Sequence, residues 1–157
     1  MKRIGFLGCG KIGRALAKHI MELEDTEISF IQDPGFQNDL GLTCPVITAP
    51  DEELYSHTDL VIECATASVL NANLEQILKN CDLMLFSVTA FSVPAFEAKV
   101  KELHASYGHH VYIPHGAVLG IDGLFDGRKI WKEVSIVTTK SPKSLGRTDT
   151  ERTVVYD

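Results

Sequence analysis

The residues with the clearest chemical meaning stand near the start of the chain: Gly8-Cys9-Gly10-Lys11-Ile12-Gly13, a GxGxxG run. At that spacing, between a strand and a helix, each glycine does a separate job. The first permits a tight turn, the second lets a pyrophosphate come against the backbone, and the third lets the helix pack close to the sheet. The unpaired N–H groups of the helix start, at Lys11 and Ile12, and the positive end of its dipole then face the phosphates. Asp33 follows Gly13 by twenty residues. A carboxylate there accepts hydrogen bonds from the adenosine ribose hydroxyls and repels a 2′-phosphate. No arginine follows it, so the pattern favours NAD, with NADP remaining open. Asp33 also opens an Asp33-Pro34-Gly35 turn, a role compatible with the ribose contact.

A lone GxGxxG run carries little weight; its context decides. Lys2–Leu7 is a short apolar run ending in glycine, as a buried parallel strand reads. Apolar residues at Ile12, Ala15, Leu16, Ile20 and Leu23 predict a helix over 12–23, and a second strand spans 27–32. Further strands are expected at 59–64, 82–88 and 110–113. One helix is expected over 69–78, and another opens at Pro94, where a first turn tolerates proline. Strands alternating with helices imply an α/β fold with a Rossmann-type, doubly wound parallel sheet. After Pro114 the texture changes to a glycine-broken helix over 116–125, a β-branched strand over 134–139 and a last strand over 153–156. Two strands and a helix cannot close a core. The expected organisation is therefore an NAD(P)-binding domain over 1–115, then the beginning of an incomplete second α+β domain over 116–157.

In open parallel sheets ligands cross the carboxyl ends of the strands. Besides Gly8 and Asp33, those ends carry Cys64-Ala65-Thr66, Ser87 and Pro114-His115. Small side chains at Ala65, Thr66 and Ala117 leave room for a flat ring and its ribose, or reflect helix packing. His115 reads either as a polar group near the nicotinamide or a substrate carboxylate, or as an exposed loop histidine. Lys140 and Lys143 could attract the carboxylates of a dicarboxylic substrate, or belong to a solvated loop. The four cysteines, Cys9, Cys44, Cys64 and Cys81, show neither CxxC pairing nor histidine partners. They support no metal site, no disulfide framework and no thioester-forming nucleophile. The formal net charge of −6 and the absence of a basic stripe argue against nucleic-acid binding. No apolar stretch reaches membrane-spanning length and no secretory leader opens the chain, so a cytoplasmic protein is expected.

The later segments narrow this to a family. Val61-Ile62-Glu63-Cys64-Ala65-Thr66, Ser87-Val88-Thr89-Ala90-Phe91, Ile113-Pro114-His115-Gly116-Ala117, Gly120-Ile121-Asp122-Gly123-Leu124 and Thr138-Thr139-Lys140-Ser141-Pro142-Lys143-Ser144-Leu145 occur in that order. Together they resemble the L-aspartate dehydrogenase family over essentially the whole chain. The resemblance implies oxidation of L-aspartate to iminoaspartate with NAD or NADP, a CH–NH2 oxidoreductase feeding NAD biosynthesis in some organisms. It implies a homodimer for the complete protein, and it makes Ala117 the expected late cofactor contact. Two departures stand out. His115 occupies a position where the family usually has serine. Family members are also considerably longer, and their catalytic histidine lies beyond what this sequence contains. The resemblance thus implies the N-terminal portion of such an enzyme. Two other readings stay open: a homoserine dehydrogenase or dihydrodipicolinate reductase relative, and an NAD(H)-binding module or redox sensor without catalysis.

Overall fold

The computed structural model describes residues 1–115, 121–142, 147–148 and 150–154. It divides into two compact units, Met1–Leu119 and Gly120–Asp157. The first unit holds a six-stranded, all-parallel sheet. Its strands are β1 (Lys2–Leu7), β2 (Thr26–Gln32), β3 (Val46–Ile47), β4 (Leu60–Glu63), β5 (Asp82–Leu85) and β6 (Val111–Tyr112), in the spatial order β3-β2-β1-β4-β5-β6. The order reverses between β1 and β4, which opens a crevice at the carboxyl ends of those strands. The expected doubly wound sheet is present.

Alternation along the strands sends successive side chains to opposite faces, and each face has its own helices. On one face Leu7, Phe30, Val61, Leu83 and Leu85 meet α2 (Glu52–Ser56), α3 (Ala67–Asn80) and α4 (Pro94–Tyr107) through Tyr55, Leu74, Ile77, Phe96 and Leu103. On the other, Ile4, Phe6, Ile31 and Ile62 pack against Ala17 and Ile20 of α1 (Lys11–Met21). Helix α4 begins with Pro94 in its first turn and ends at Gly108 with φ +79, a left-handed cap.

Two elements were not foreseen. The β3 strand has only two residues, and α2 is a single turn capped by Asp51, whose side chain accepts from the Leu54 N–H. Tertiary packing holds α2 in place. The Tyr55 ring meets Phe30 edge-on at 5.1 Å, and its hydroxyl donates to Gln32 Oε1 at 2.5 Å. Gln32 in turn donates to Asn73 Oδ1 at 3.0 Å, closing a buried polar network below the carboxyl end of β2.

Two expectations are corrected. The strand expected over 82–88 stops at Leu85, and a 3-10 turn, Val88–Ser92, follows. The Phe86 N–H still reaches the Glu63 backbone carbonyl at 3.1 Å, but the Ser87 N–H turns to the Glu63 carboxylate at 2.9 Å, and the ladder ends there. The strand expected over 134–139 does not form: those residues are exposed and carry no regular structure. A strand needs a neighbour to satisfy its ladder, and among the described residues no strand follows Tyr112. Residues 153–154 are likewise irregular, and the rest of the last expected strand lies outside the described residues. The second unit contains a short helix, α5 (Ile121–Asp126), and a 3-10 turn, Gly127–Lys129. The first five positions of the expected helix over 116–125 lie outside the described residues.

Candidate dinucleotide-binding site

The glycine run sits where β1 hands over to α1, and its geometry is constrained on both sides. Gly8 has φ +86, a left-handed conformation that side chains rarely adopt. A Cβ placed on Gly8 would also come within 2.8 Å of the Cα, Cβ and backbone N of Ala65. The Gly8 N–H donates to the Gln32 carbonyl at 2.9 Å, and the Cys64 N–H donates to the Leu7 carbonyl at 2.8 Å. The loop is thus gripped between the ends of β2 and β4. At Gly13 a Cβ would lie 2.7 Å from the Gly8 carbonyl oxygen, so the helix can approach the loop only without a side chain there. Gly10 differs: nothing lies within 4 Å of a Cβ built on it. The loop backbone is therefore open to an incoming group where the pyrophosphate is expected.

Gly10 is also the N-cap of α1, and no side chain caps that helix end. Its first N–H groups are left for solvent or a ligand anion. Lys11 is exposed, and Ile12 is 54% exposed, so Ile12 lies off the apolar face on which the helical spacing placed it.

Asp33 lies immediately after β2, and its carboxylate joins two pieces of backbone. Oδ2 accepts the Cys9 N–H at 2.8 Å, and Oδ1 accepts the Gly35 N–H at 2.8 Å. The side chain therefore makes both the turn and a brace on the glycine loop. Each oxygen keeps a lone pair for a ribose hydroxyl.

On the other side of the crevice, Glu63 ends β4 fully buried. Its Oε1 accepts the Ala65 N–H and the Ser87 hydroxyl, both at 2.8 Å. Its Oε2 accepts the Ser87 N–H at 2.9 Å and the Phe86 N–H at 3.2 Å. One carboxylate thus organises the two loops that carry the predicted residues Cys64, Ala65, Thr66 and Ser87. Nothing in the sequence announces this role of Glu63, because partners that are backbone N–H groups leave no trace in residue type. Thr66 caps α3, accepting the Val69 N–H at 3.3 Å, a contribution of about 1 kcal/mol to that helix.

Gly8, Gly10, Gly13, Asp33, Ala65 and Ser87 are therefore linked through direct contacts or one intervening group at the carboxyl ends of the inner strands. His115 is exposed just beyond β6. Ala117 and Lys143 lie outside the described residues, and Lys140 is exposed in the second unit.

The thiols near the crevice are poor nucleophiles. Burial, with smaller contributions of both signs from Arg14, Asp33 and Cys44, pushes Cys9 up to about 11. Burial and the nearby Glu63 push Cys64 up to about 12, and burial raises Cys44. Cys81, on the far side of the core, is raised by burial to about 12. All four are free thiols. A raised pKa in the folded state means that the unfolded chain loses thiol protons first. Stability from these groups is complete below the ordinary value of 9.0 and declines as pH climbs toward 11 and 12. Denaturant titrations at pH 8 and pH 10 should show a lower midpoint at the higher pH. Replacing Cys9 or Cys64 with serine should reduce that difference.

Among the described residues no group of three or more His, Cys, Asp or Glu is placed to hold a metal ion. No helix there is long and apolar enough to cross a membrane.

Residues 8–114 match the family described as homoserine dehydrogenase, NAD binding domain. The chain belongs to this family. The family is that of an NAD-binding domain, and the open backbone at Gly10 beside Asp33 fits that cofactor. The L-aspartate dehydrogenase of Methanospirillum hungatei JF-1 is 32% identical over 160 residues, covering 99% of this chain and 63% of that protein. That of Archaeoglobus fulgidus is 30% identical over 145 residues, 92% of this chain and 59% of that protein. Among solved structures, the aspartate dehydrogenase of Thermotoga maritima superposes with a TM-score of 0.66 at 28% identity, over 99% of this chain and 63% of that one. The resemblance to the N-terminal portion of L-aspartate dehydrogenases therefore holds along nearly the whole chain, which spans less than two thirds of each of these relatives.

Proposed function

We propose that this chain is the nucleotide-binding portion of an NAD(P)-dependent L-aspartate dehydrogenase, in which Cα of L-aspartate gives a hydride to the oxidised nicotinamide and the amine gives up a proton, leaving iminoaspartate. The observation that carries the cofactor part is the pairing of an open backbone at Gly10 with the Asp33 carboxylate, which is hydrogen-bonded to the same loop. The similarity along 99% of the chain to an enzyme named for L-aspartate carries the substrate part.

In this reading residues 1–115 hold the cofactor and 116–157 begin the substrate domain. Gly8, Gly10 and Gly13 admit the pyrophosphate, and the N–H groups of Lys11 and Ile12 face it. Asp33 accepts the ribose hydroxyls. Cys64, Ala65, Thr66, Ser87 and Ala117 border the nicotinamide half, where small side chains leave room for a flat ring. The bound nicotinamide supplies a hydride acceptor at C4. The chain's residues orient it and exclude water, so that the reacting carbons meet in a productive geometry. The dicarboxylic substrate, a homodimer, a cytoplasmic setting and a place in NAD biosynthesis complete the reading.

The test is turnover by the full-length gene product that carries this chain, with NAD+ and either L-aspartate or homoserine, followed through NADH absorbance. Aspartate-dependent reduction is expected; reduction with homoserine and none with aspartate would overturn the substrate assignment. Asp33→Ala should weaken NADH binding about tenfold and narrow the preference over NADPH, through loss of charge-assisted hydrogen bonds. An Asp33→Ala variant that binds NADH as tightly as the unsubstituted chain would contradict the ribose role.

A further inference from the structure

A second charged group stands at the adenosine end of the site. Arg14 follows the glycine run in α1, and its side chain crosses to the loop after β2. The guanidinium lies 4.7 Å from the centre of the Phe36 ring, is paired with the Asp39 carboxylate, and reaches the Gln37 carbonyl at 3.4 Å. Phe36 closes the turn that Asp33 opens, its N–H donating to the Asp33 carbonyl at 3.2 Å. The cation therefore sits over the turn whose first residue faces the ribose in the reading above.

We propose that Arg14 is the specificity-determining residue for the 2′ position of the cofactor: it is the ligand of a 2′-phosphate, and Asp39 competes with that phosphate for it. The inference rests on the nucleotide-binding reading and deepens it.

Three features support it. The Phe36 ring, 4.7 Å from the guanidinium carbon, keeps the cation over this turn while N–H donors not engaged by Asp39 and Gln37 face outward to a ligand. The Arg14 and Asp39 side chains are 28% and 63% exposed, and an ion pair so placed is weak and screened by salt. A phosphate dianion, accepting two parallel charge-assisted bonds from the guanidinium, is the stronger partner and displaces Asp39. The third feature concerns Asp33. Each of its oxygens already accepts a backbone N–H at 2.8 Å, so its charge is partly offset and does not by itself exclude a 2′-phosphate. The balance between Asp33 and Arg14 sets the preference, and Asp39 sets how much of the Arg14 charge is available.

The experiment is a set of fluorescence titrations with NADH and with NADPH on the unsubstituted chain, Arg14→Gln and Asp39→Asn. Arg14→Gln should raise the ratio of NADPH to NADH dissociation constants about tenfold or more, the size of a lost charge-assisted pair. Asp39→Asn, which frees the guanidinium, should lower the same ratio. Added salt should weaken NADPH binding more steeply than NADH binding. If NADH still binds and neither substitution moves the ratio, this inference is overturned and the nucleotide-binding reading survives. If the unsubstituted chain binds neither cofactor, that reading fails and takes this inference with it.

Discussion

Gly8→Ala should lower NADH affinity by about tenfold to a hundredfold and also destabilise the fold, whereas Gly10→Ala should lower the affinity comparably with little change in stability. The contrast follows from what surrounds each position. At Gly8 the new methyl meets the Ala65 backbone at 2.8 Å, and the φ of +86 is a conformation that alanine resists, at a cost of about 1–2 kcal/mol from the backbone alone. The loop must shift, and the N–H groups aimed at the pyrophosphate shift with it. At Gly10 a methyl meets nothing in the protein. Its only obstruction is to whatever approaches from outside. Urea denaturation paired with NADH titration separates the two effects. If Gly10→Ala bound NADH as tightly as the unsubstituted chain, the pyrophosphate would have to lie elsewhere.

The second large effect is expected at Glu63. Glu63→Ala removes the acceptor for the Ala65 N–H, the Ser87 N–H and the Ser87 hydroxyl at once, around a carboxylate that is itself fully buried. The Phe86 N–H keeps a partner, the Glu63 backbone carbonyl at 3.1 Å. Two orphaned backbone donors and a cavity together should cost about 3–5 kcal/mol. Glu63→Gln keeps the volume but turns an amide N–H toward donors, so a loss of about 1–3 kcal/mol is expected. Both substitutions loosen the Ala65 loop that contacts Gly8. NADH affinity should therefore fall even in Glu63→Gln under conditions where circular dichroism shows it fully folded. Denaturant midpoints for both variants within 0.5 kcal/mol of the parent, about the scatter of an ordinary surface substitution, would contradict the organising role of this carboxylate.

The parts of this molecule legible in the sequence are those where local pattern and tertiary role agree. Lys2–Leu7 is a strand buried along most of its length, and its apolar run says so directly. The glycine run and Asp33 are legible because backbone conformation and ligand chemistry both restrict residue type there. Elements that depend on distant partners are not. The two-residue β3 and the one-turn α2 are too short to show a period, and α2 is held by Tyr55 against Phe30 and Gln32, more than twenty residues away. Glu63 acts through backbone donors, which have no signature. Arg14 meets Phe36 and Asp39 only because the β1-α1-β2 unit folds them together, so a search for arginine limited to the residues after Asp33 passes it by. The error over 134–139 is of the opposite kind. Val134, Ile136 and Val137 have the composition of a strand but are exposed, without a neighbouring strand among the described residues. Composition proposes a strand; only a partner makes one.

The most direct measurement is a fluorescence titration of the purified chain with NADH, in parallel with Gly10→Ala. Saturable binding of NADH at one site per chain, weakened at least tenfold by that single methyl group, is the expected result for charge-assisted contacts at the loop. A flat titration, or a curve that Gly10→Ala leaves unchanged, would contradict the placement of a dinucleotide on the loop between β1 and α1.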